Sequence, residues 1–220
     1  MKIGVLYEVW GETESYPGAK EVDDDTTRRR RRRRPKLDRE EVFDALTKLG
    51  HEPSYIELDG RDATLFALAK TKVDLVFNLA ESYAGDDTKD LNIPAFMDLV
   101  GVKYTGSGPH GLLLAQDKAL AKKIVEFHGL KTPFSAVSHR GRVDYAHDVK
   151  FPLIVKPVSE DGSIGINTDS VVHSVKELMD QIHALHEELD VPILIEEYIE
   201  GREIYAAILG NRPPEALPLV

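Results

Sequence analysis

Residues 151–166, FPLIVKPVSEDGSIGI, carry an apolar run that delivers a single lysine and then breaks into a small, polar loop. Residues 152–155 are short, apolar and flanked by Pro152 and Pro157, the pattern of a buried strand, so Lys156 is expected where that strand leaves the core. Beyond Pro157, the residues Asp161, Gly162, Ser163 and Gly165 offer free backbone amides and two glycines that let a ligand approach closely, which suits anionic phosphate. An ordinary strand end with a Gly/Ser turn fits the same letters. Neither GxxxxGK[ST] nor GxGxxG occurs in the chain, so the two commonest nucleotide signatures are absent.

A second apolar run bears on that choice. Residues 193–210, ILIEEYIEGREIYAAILG, set Glu196, Glu197, Glu200 and Glu203 among strand-like hydrophobics. Acids inside strands are costly unless something employs them. Taken in order, IVKPVSEDGSIGI, a helical run and ILIEEYIEGREI resemble the ATP-grasp ligases, and most of all the D-alanine–D-alanine ligase group. Upstream, residues 104–133, YTGSGPHGLLLAQDKALAKKIVEFHGLKTP, are similar to the segment joining the first two domains of those ligases and include the DKALxK lysine, Lys118. The resemblance covers residues 73–210, whereas the first seventy match only as a generic strand–helix start. D-alanine ligases carry a Glu in the loop after the first strand and a His-Gly pair after the VF strand. This chain has WGETES there, where either Glu12 or Glu14 could substitute for that Glu, and then NLAESYAG, which marks a divergent branch.

The resemblance implies an α/β protein in three parts: an N-terminal doubly wound, pre-ATP-grasp domain (1–110), the α+β central ATP-grasp subdomain (111–203) and the start of a C-terminal subdomain (204–220). It implies ATP as cofactor, with Lys118 and Lys156 on phosphate oxygens and the loop amides around Ser163 over the γ-phosphate. Glu196 through its carbonyl and Ile199 through its amide would read the purine edge, with Glu197 reaching it by side chain, and Glu203 would accept hydrogen bonds from ribose hydroxyls. Gly162 stands where D-alanine ligases present a serine near the substrate. The reaction implied is formation of an amide or dipeptide bond between a carboxylate and an amine through an acylphosphate, with Lys156 and Ser163 nearest the chemistry. Magnesium is implied too, but the family holds it on an Asp and a Glu-x-Asn pattern in a third domain, so no metal ligand is assigned and the chain is expected to be a fragment with weak or no turnover of its own. A non-catalytic nucleotide-binding module of the same fold is the alternative.

Composition narrows the field independently. A chain of 220 residues, 42% hydrophobic, has enough apolar side chains for one large or two modest cores. With no cysteine, disulfides, thiolate zinc sites and a cysteine nucleophile are excluded. Met1 leads directly into KIGVLY and no apolar stretch approaches a membrane span, so a cytoplasmic protein with no membrane partner is expected. The formal charge is −10, and seven of the 28 lysines and arginines form one block at 28–34, leaving 21 cations against 38 acids elsewhere. An acidic surface repels a triphosphate at long range, so a phosphate site must be local and built from few lysines. The arginine block reads as a solvated loop, with a nucleic-acid tether as the lesser reading. The partner implied is a small amino acid or other carboxylate; a homodimer is compatible with the sequence.

Along the chain, residues 2–7 read as a strand, 38–49 as a helix capped by Asp38 with Glu41, 51–58 as a strand, 63–70 as a helix and 73–77 as a buried strand, an alternation that predicts a parallel sheet. A helix interrupted early by Pro94 is expected over 89–99, and one continuous helix over 112–128, with Lys118 one turn inside it. Residues 132–138 and 152–156 are expected to pair antiparallel, and 175–189 to form a helix with an apolar stripe. His183 and His186 on that helix could ligate a metal, but no acid motif frames them and a wet helix face is the expectation.

Overall fold

The computed structural model describes residues 1–9, 36–140, 142–143, 150–160 and 162–220. The arginine block at 28–34, Glu12, Glu14 and Asp161 lie outside the described residues. The chain divides into two units, Met1–Leu113 and Leu114–Val220.

In the first unit, strand β1 (Lys2–Glu8) is followed by α1 (Asp38–Lys48), β2 (Glu52–Leu58), α2 (Asp62–Ala69), β3 (Leu75–Asn78) and α3 (Asn92–Val100). The three strands are parallel in the order β2-β1-β3. Alternation along β1 assigns its side chains to two cores. Ile3 and Val5 pack with Leu46 of α1, whereas Leu6 packs with Leu68 of α2 and Ile93 and Met97 of α3. Helices therefore cover both faces of the sheet, which is why β1 reads as an unbroken apolar run. The helix α1 begins one residue earlier than expected: Leu37 is its N-cap, and the Glu40 carboxylate accepts the Leu37 amide at 3.1 Å. Pro94 does not interrupt α3. It sits in the first turn, where its missing N–H has no helical partner to lose.

The second unit begins within α4 (Pro109–Gln116) and continues with α5 (Lys118–Phe127), β4 (Ser135–His139), β5 (Arg142–Val143), β6 (Leu153–Pro157), β7 (Val171–Val172), α6 (Val175–Leu189), β8 (Ile193–Glu197), β9 (Ile208–Leu209) and β10 (Glu215–Ala216). Two expectations are corrected here. The continuous helix over 112–128 is two helices, broken at Asp117, whose carboxylate accepts the Leu120 amide at 2.8 Å and caps α5. Lys118 is consequently the first residue of a helix and not one turn inside it. Nor do β4 and β6 pair with each other. The sheet order is β5-β4-β8-β6-β7, with β8 antiparallel to both neighbours. The ILI of β8 is buried throughout, which suits it to the centre of the sheet better than either flanking strand.

One face of this sheet packs on α6: Leu153, Val155, Ile193 and Ile195 meet Ile182 and Leu185. The strand pattern expected over 193–210 is interrupted after Glu197 and returns only at Ile208–Leu209, and Glu200 and Glu203 lie exposed outside any strand, so their acidity needs no partner. The wet helix face expected for both histidines holds for His183 alone. Both ring nitrogens of His186 are buried without a hydrogen-bond partner.

Candidate functional site

Strand periodicity places the polar exceptions. Because Val155 and Ile195 point into the α6 core, Lys156 on β6 and Glu196 on β8 emerge on the opposite face, and the register pairs Ile154 with Glu196 and Lys156 with Leu194. Lys156 Nζ lies 2.6 Å from Glu196 Oε2. From α5, Lys122 Nζ lies 2.6 Å from the other oxygen, Oε1. The Lys122 and Glu196 side chains are only 11% and 10% exposed, and Lys156 is 22% exposed. Burial by itself would push the Glu196 carboxyl up, but hydrogen bonds and charge from the two lysines outweigh it and hold that carboxyl below the ordinary carboxylate value. One carboxylate between two ammonium groups leaves the cluster with a net positive charge.

Lys118 stands at the other side of the loop that leaves β6. Its ammonium donates to the Val158 carbonyl at 3.4 Å and to the Glu160 carbonyl, and its amide donates to Val158 at 3.2 Å. The loop itself is held in the left-handed region at Gly162 (φ +58°), Ser163 (φ +65°) and Gly165 (φ +71°). A Cβ on Gly165 would lie 2.8 Å from Pro157 Cγ, so only glycine lets the loop fold this closely onto the core. Successive amides in such a conformation can form an anion-binding concavity, and the Ser163 side chain is exposed beside it.

The remaining candidates follow β8. The Glu197 amide donates to Phe134 and the Tyr198 amide to Pro152, so Ile199, 60% exposed, is the first residue past the sheet pairing. Glu197 is exposed at the strand end, and Glu203 is exposed in the segment beyond it, away from the lysine cluster in sequence and without a strand to orient it. Glu196 was assigned to its backbone carbonyl, yet its carboxylate is the group that meets the lysines. Lys122 was missed, although it lies four residues after Lys118 and thus on the same helix face. A hollow of about 650 Å³ opens beside α5 and β4, lined by Lys122, Lys123, Leu120, Phe134 and Val137 among others, but not by Lys118, Lys156 or Glu196. Among the described residues no group of three or more His, Asp or Glu side chains is placed to hold a metal ion.

A parallel three-stranded sheet followed by an antiparallel one that carries a strand acid, a strand-end lysine and a left-handed glycine loop defines the class: an α/β protein with a candidate anion site. Comparison with known proteins carries this further. Residues 122–220 match the family model described as D-ala D-ala ligase C-terminus. An uncharacterized protein, y4sG, of Sinorhizobium fredii is 38% identical over 186 residues, covering 81% of this chain and 54% of the relative. The D-alanine--D-alanine ligase of Syntrophotalea carbinolica is 34% identical over 179 residues, covering 81% and 55%. The chain therefore spans about half the length of the curated relatives it matches. In fold, the D-alanine--D-alanine ligase of Bacillus anthracis superposes with a TM-score of 0.68 at 24% identity, covering all of this chain and 63% of that one. The same enzyme complexed with ATP gives 0.64 at 22% identity, with 65% of it covered. This chain is homologous to D-alanine–D-alanine ligases over part of their length. Among its described helices none is long and apolar enough to cross a membrane.

Proposed function

We propose that the chain binds ATP on the face of the second unit that carries Lys156, and that it serves an ATP-dependent carboxylate–amine ligase forming an amide or dipeptide bond. The observation that carries this reading is the pairing of Lys156 and Lys122 with one buried carboxylate beside a left-handed loop. Lys118 donates to the backbone of the segment that enters the loop and Lys156 precedes it on β6, and a triphosphate needs such a local concentration of donors on a chain whose net charge is −10. The residues fit the nucleotide. Among the described residues no set of oxygen ligands is grouped to hold magnesium.

In this reading ATP supplies a phosphoryl group that activates a substrate carboxylate for attack by an amine, with ADP and phosphate released. Phosphoryl transfer asks the protein for placement and charge neutralisation more than covalent help. Lys118 and Lys156 hold the phosphate oxygens and offset their charge. The amides and hydroxyl around Ser163 close over the terminal phosphate. The Ile199 amide and the Glu196 backbone read the purine edge, with the Glu197 side chain near it, and Glu203 takes the ribose hydroxyls. The central ATP-grasp subdomain then corresponds to residues 111–203, with the N-terminal domain before it and the start of a further subdomain over 204–220. A small amino acid is the substrate class.

Thermal unfolding in increasing ATP tests the nucleotide step, because a ligand that binds only the folded chain raises Tm with concentration. A rise with ATP and none with adenosine supports a triphosphate site; no rise with ATP contradicts it. Phosphate release that depends on D-alanine or another amino acid, from a chain extended to the full length of its relatives, supports the ligase assignment, and ATP binding by that longer chain with no such release across an amino-acid panel contradicts it; the 220 residues alone are expected to turn over weakly or not at all.

A further inference from the structure

We propose that Lys122 is a positioning residue of the nucleotide site: it holds the buried Glu196 carboxylate so that Lys156 can leave that carboxylate for a phosphate oxygen without stranding a buried charge. The inference rests on the ATP reading above and adds a residue and a sequence of contacts to it.

The geometry divides the three groups unequally. Glu196 has two oxygens and each has its own ammonium, Lys122 on Oε1 and Lys156 on Oε2, both at 2.6 Å. The carboxylate is fixed, because its strand lies at the centre of the sheet with β4 on one side and β6 on the other. Lys122 is the more buried cation, on a helix whose start is fixed by the Asp117 cap and by the Lys118 amide on Val158. Lys156 is twice as exposed and sits where β6 gives way to the glycine loop. Of the two lysines, Lys156 is the one that leads into the glycine loop, whereas Lys122 lines the hollow beside α5 and β4.

Electrostatics then assigns the roles. A buried carboxylate that loses its only cation is left with an uncompensated charge, which is strongly unfavourable. With Lys122 in place, transfer of Lys156 to a phosphate leaves Glu196 still paired, and a neutral Lys122–Glu196 pair remains. Without Lys122, the phosphate must take Lys156 from a carboxylate that has no other partner. Lys122 thus needs no contact with the nucleotide to set its affinity.

Isothermal titration of the chain and four variants with ATP separates the possibilities. Lys122→Gln is expected to weaken ATP binding about tenfold, within the usual range of coupling between neighbouring groups. Lys122→Arg, which keeps the cation, recovers most of that loss. Lys122→Gln combined with Glu196→Gln, which removes the charge that needed a partner, brings affinity back towards that of the unaltered chain. Lys123→Gln makes the same charge change one residue on, at an exposed position, and leaves affinity as it was. Unchanged binding in Lys122→Gln, or a loss that the added Glu196→Gln does not relieve, overturns the positioning role in favour of no role or of direct phosphate contact. An equal loss in Lys123→Gln overturns it in favour of general charge. Should Lys122→Gln fail to fold, the charge-balanced double variant and Lys122→Arg still decide, since weak binding in both contradicts the proposal. Absence of ATP binding by the unaltered chain overturns the nucleotide reading itself, and retained binding in Lys122→Gln overturns this inference alone.

Discussion

Lys156 Nζ lies 2.6 Å from Glu196 Oε2, across two neighbouring antiparallel strands and on the sheet face that α6 does not cover. A lysine at a strand end and an acid in a central strand are each unfavourable alone in such a place, and each explains the other. Burial pushes the Glu196 carboxyl up while Lys122 and Lys156 pull it down, with the net direction downward.

That direction fixes a pH dependence. Glu196 is a stronger acid in the folded chain than in the unfolded one, so its pairing contributes fully above the ordinary carboxylate value and is lost as pH falls through the lowered folded value. Glu196→Gln leaves two buried ammonium groups without their carboxylate and is expected to destabilise the second unit by about 1–3 kcal/mol near neutral pH. The deficit should shrink in acid. Denaturant unfolding of both proteins between neutral and strongly acidic pH checks this.

Glu8 is expected to behave in the opposite sense. Its two carboxylate oxygens accept the Glu81 amide at 3.1 and 3.2 Å, tying the end of β1 to the loop after β3, yet burial outweighs those bonds and holds its carboxyl above the ordinary value. A raised folded value means that ionised Glu8 weakens the fold, and that stability is recovered as pH falls through that value. Glu8→Gln keeps one acceptor and removes the charge. It is expected to match or exceed the unaltered chain in stability at neutral pH, with the advantage disappearing in acid.

The loop offers a paired comparison. Gly162 and Gly165 both have positive φ, but a Cβ at Gly162 meets nothing within 4 Å, whereas at Gly165 it lies 2.8 Å from Pro157 Cγ and 3.1 Å from Leu189 Cδ1. Gly162→Ala is expected to cost about 1–2 kcal/mol from backbone strain alone. Gly165→Ala adds overpacking of about 1–3 kcal/mol and should unfold at clearly lower denaturant. Equal costs at the two positions would contradict the described loop packing.

Asp117 supplies a test of the helix break. Its carboxylate caps the helix that carries Lys118 and Lys122, so Asp117→Ala is expected to cost about 1 kcal/mol by thermal or denaturant unfolding, as for other N-caps. If α4 and α5 were one continuous helix, removing an interior aspartate would cost nothing.

Local chemistry was legible in the sequence where it followed a short period. The strand ending on Lys156, the helix bearing Lys118, the two-sided burial of β1 and the expense of Glu196 inside a strand all follow from residues a few positions apart. What was hidden depends on distant partners. That β8 sits between β4 and β6 is a pairing of segments some forty to sixty residues apart in sequence, which no local alternation encodes. The Asp117 break was masked because QDKALAKK continues the helical pattern across it, although aspartate three residues before Leu120 is itself an N-cap signal. Lys122 was overlooked as one more helix lysine, since only the fold brings Glu196 to it. The buried ring of His186 had no sequence signal at all beyond its place one residue after the apolar Leu185.

The central claim is that Lys118 and Lys156 share one triphosphate. An ATP derivative bearing an acyl group on its terminal phosphate transfers that group to an amine lying against the phosphates, and peptide mass spectrometry then locates it. The account predicts acylation at Lys118, Lys156 or both, suppressed by excess ATP, with exposed Lys123 labelled no more than background. Labelling spread over surface lysines and indifferent to ATP would contradict it.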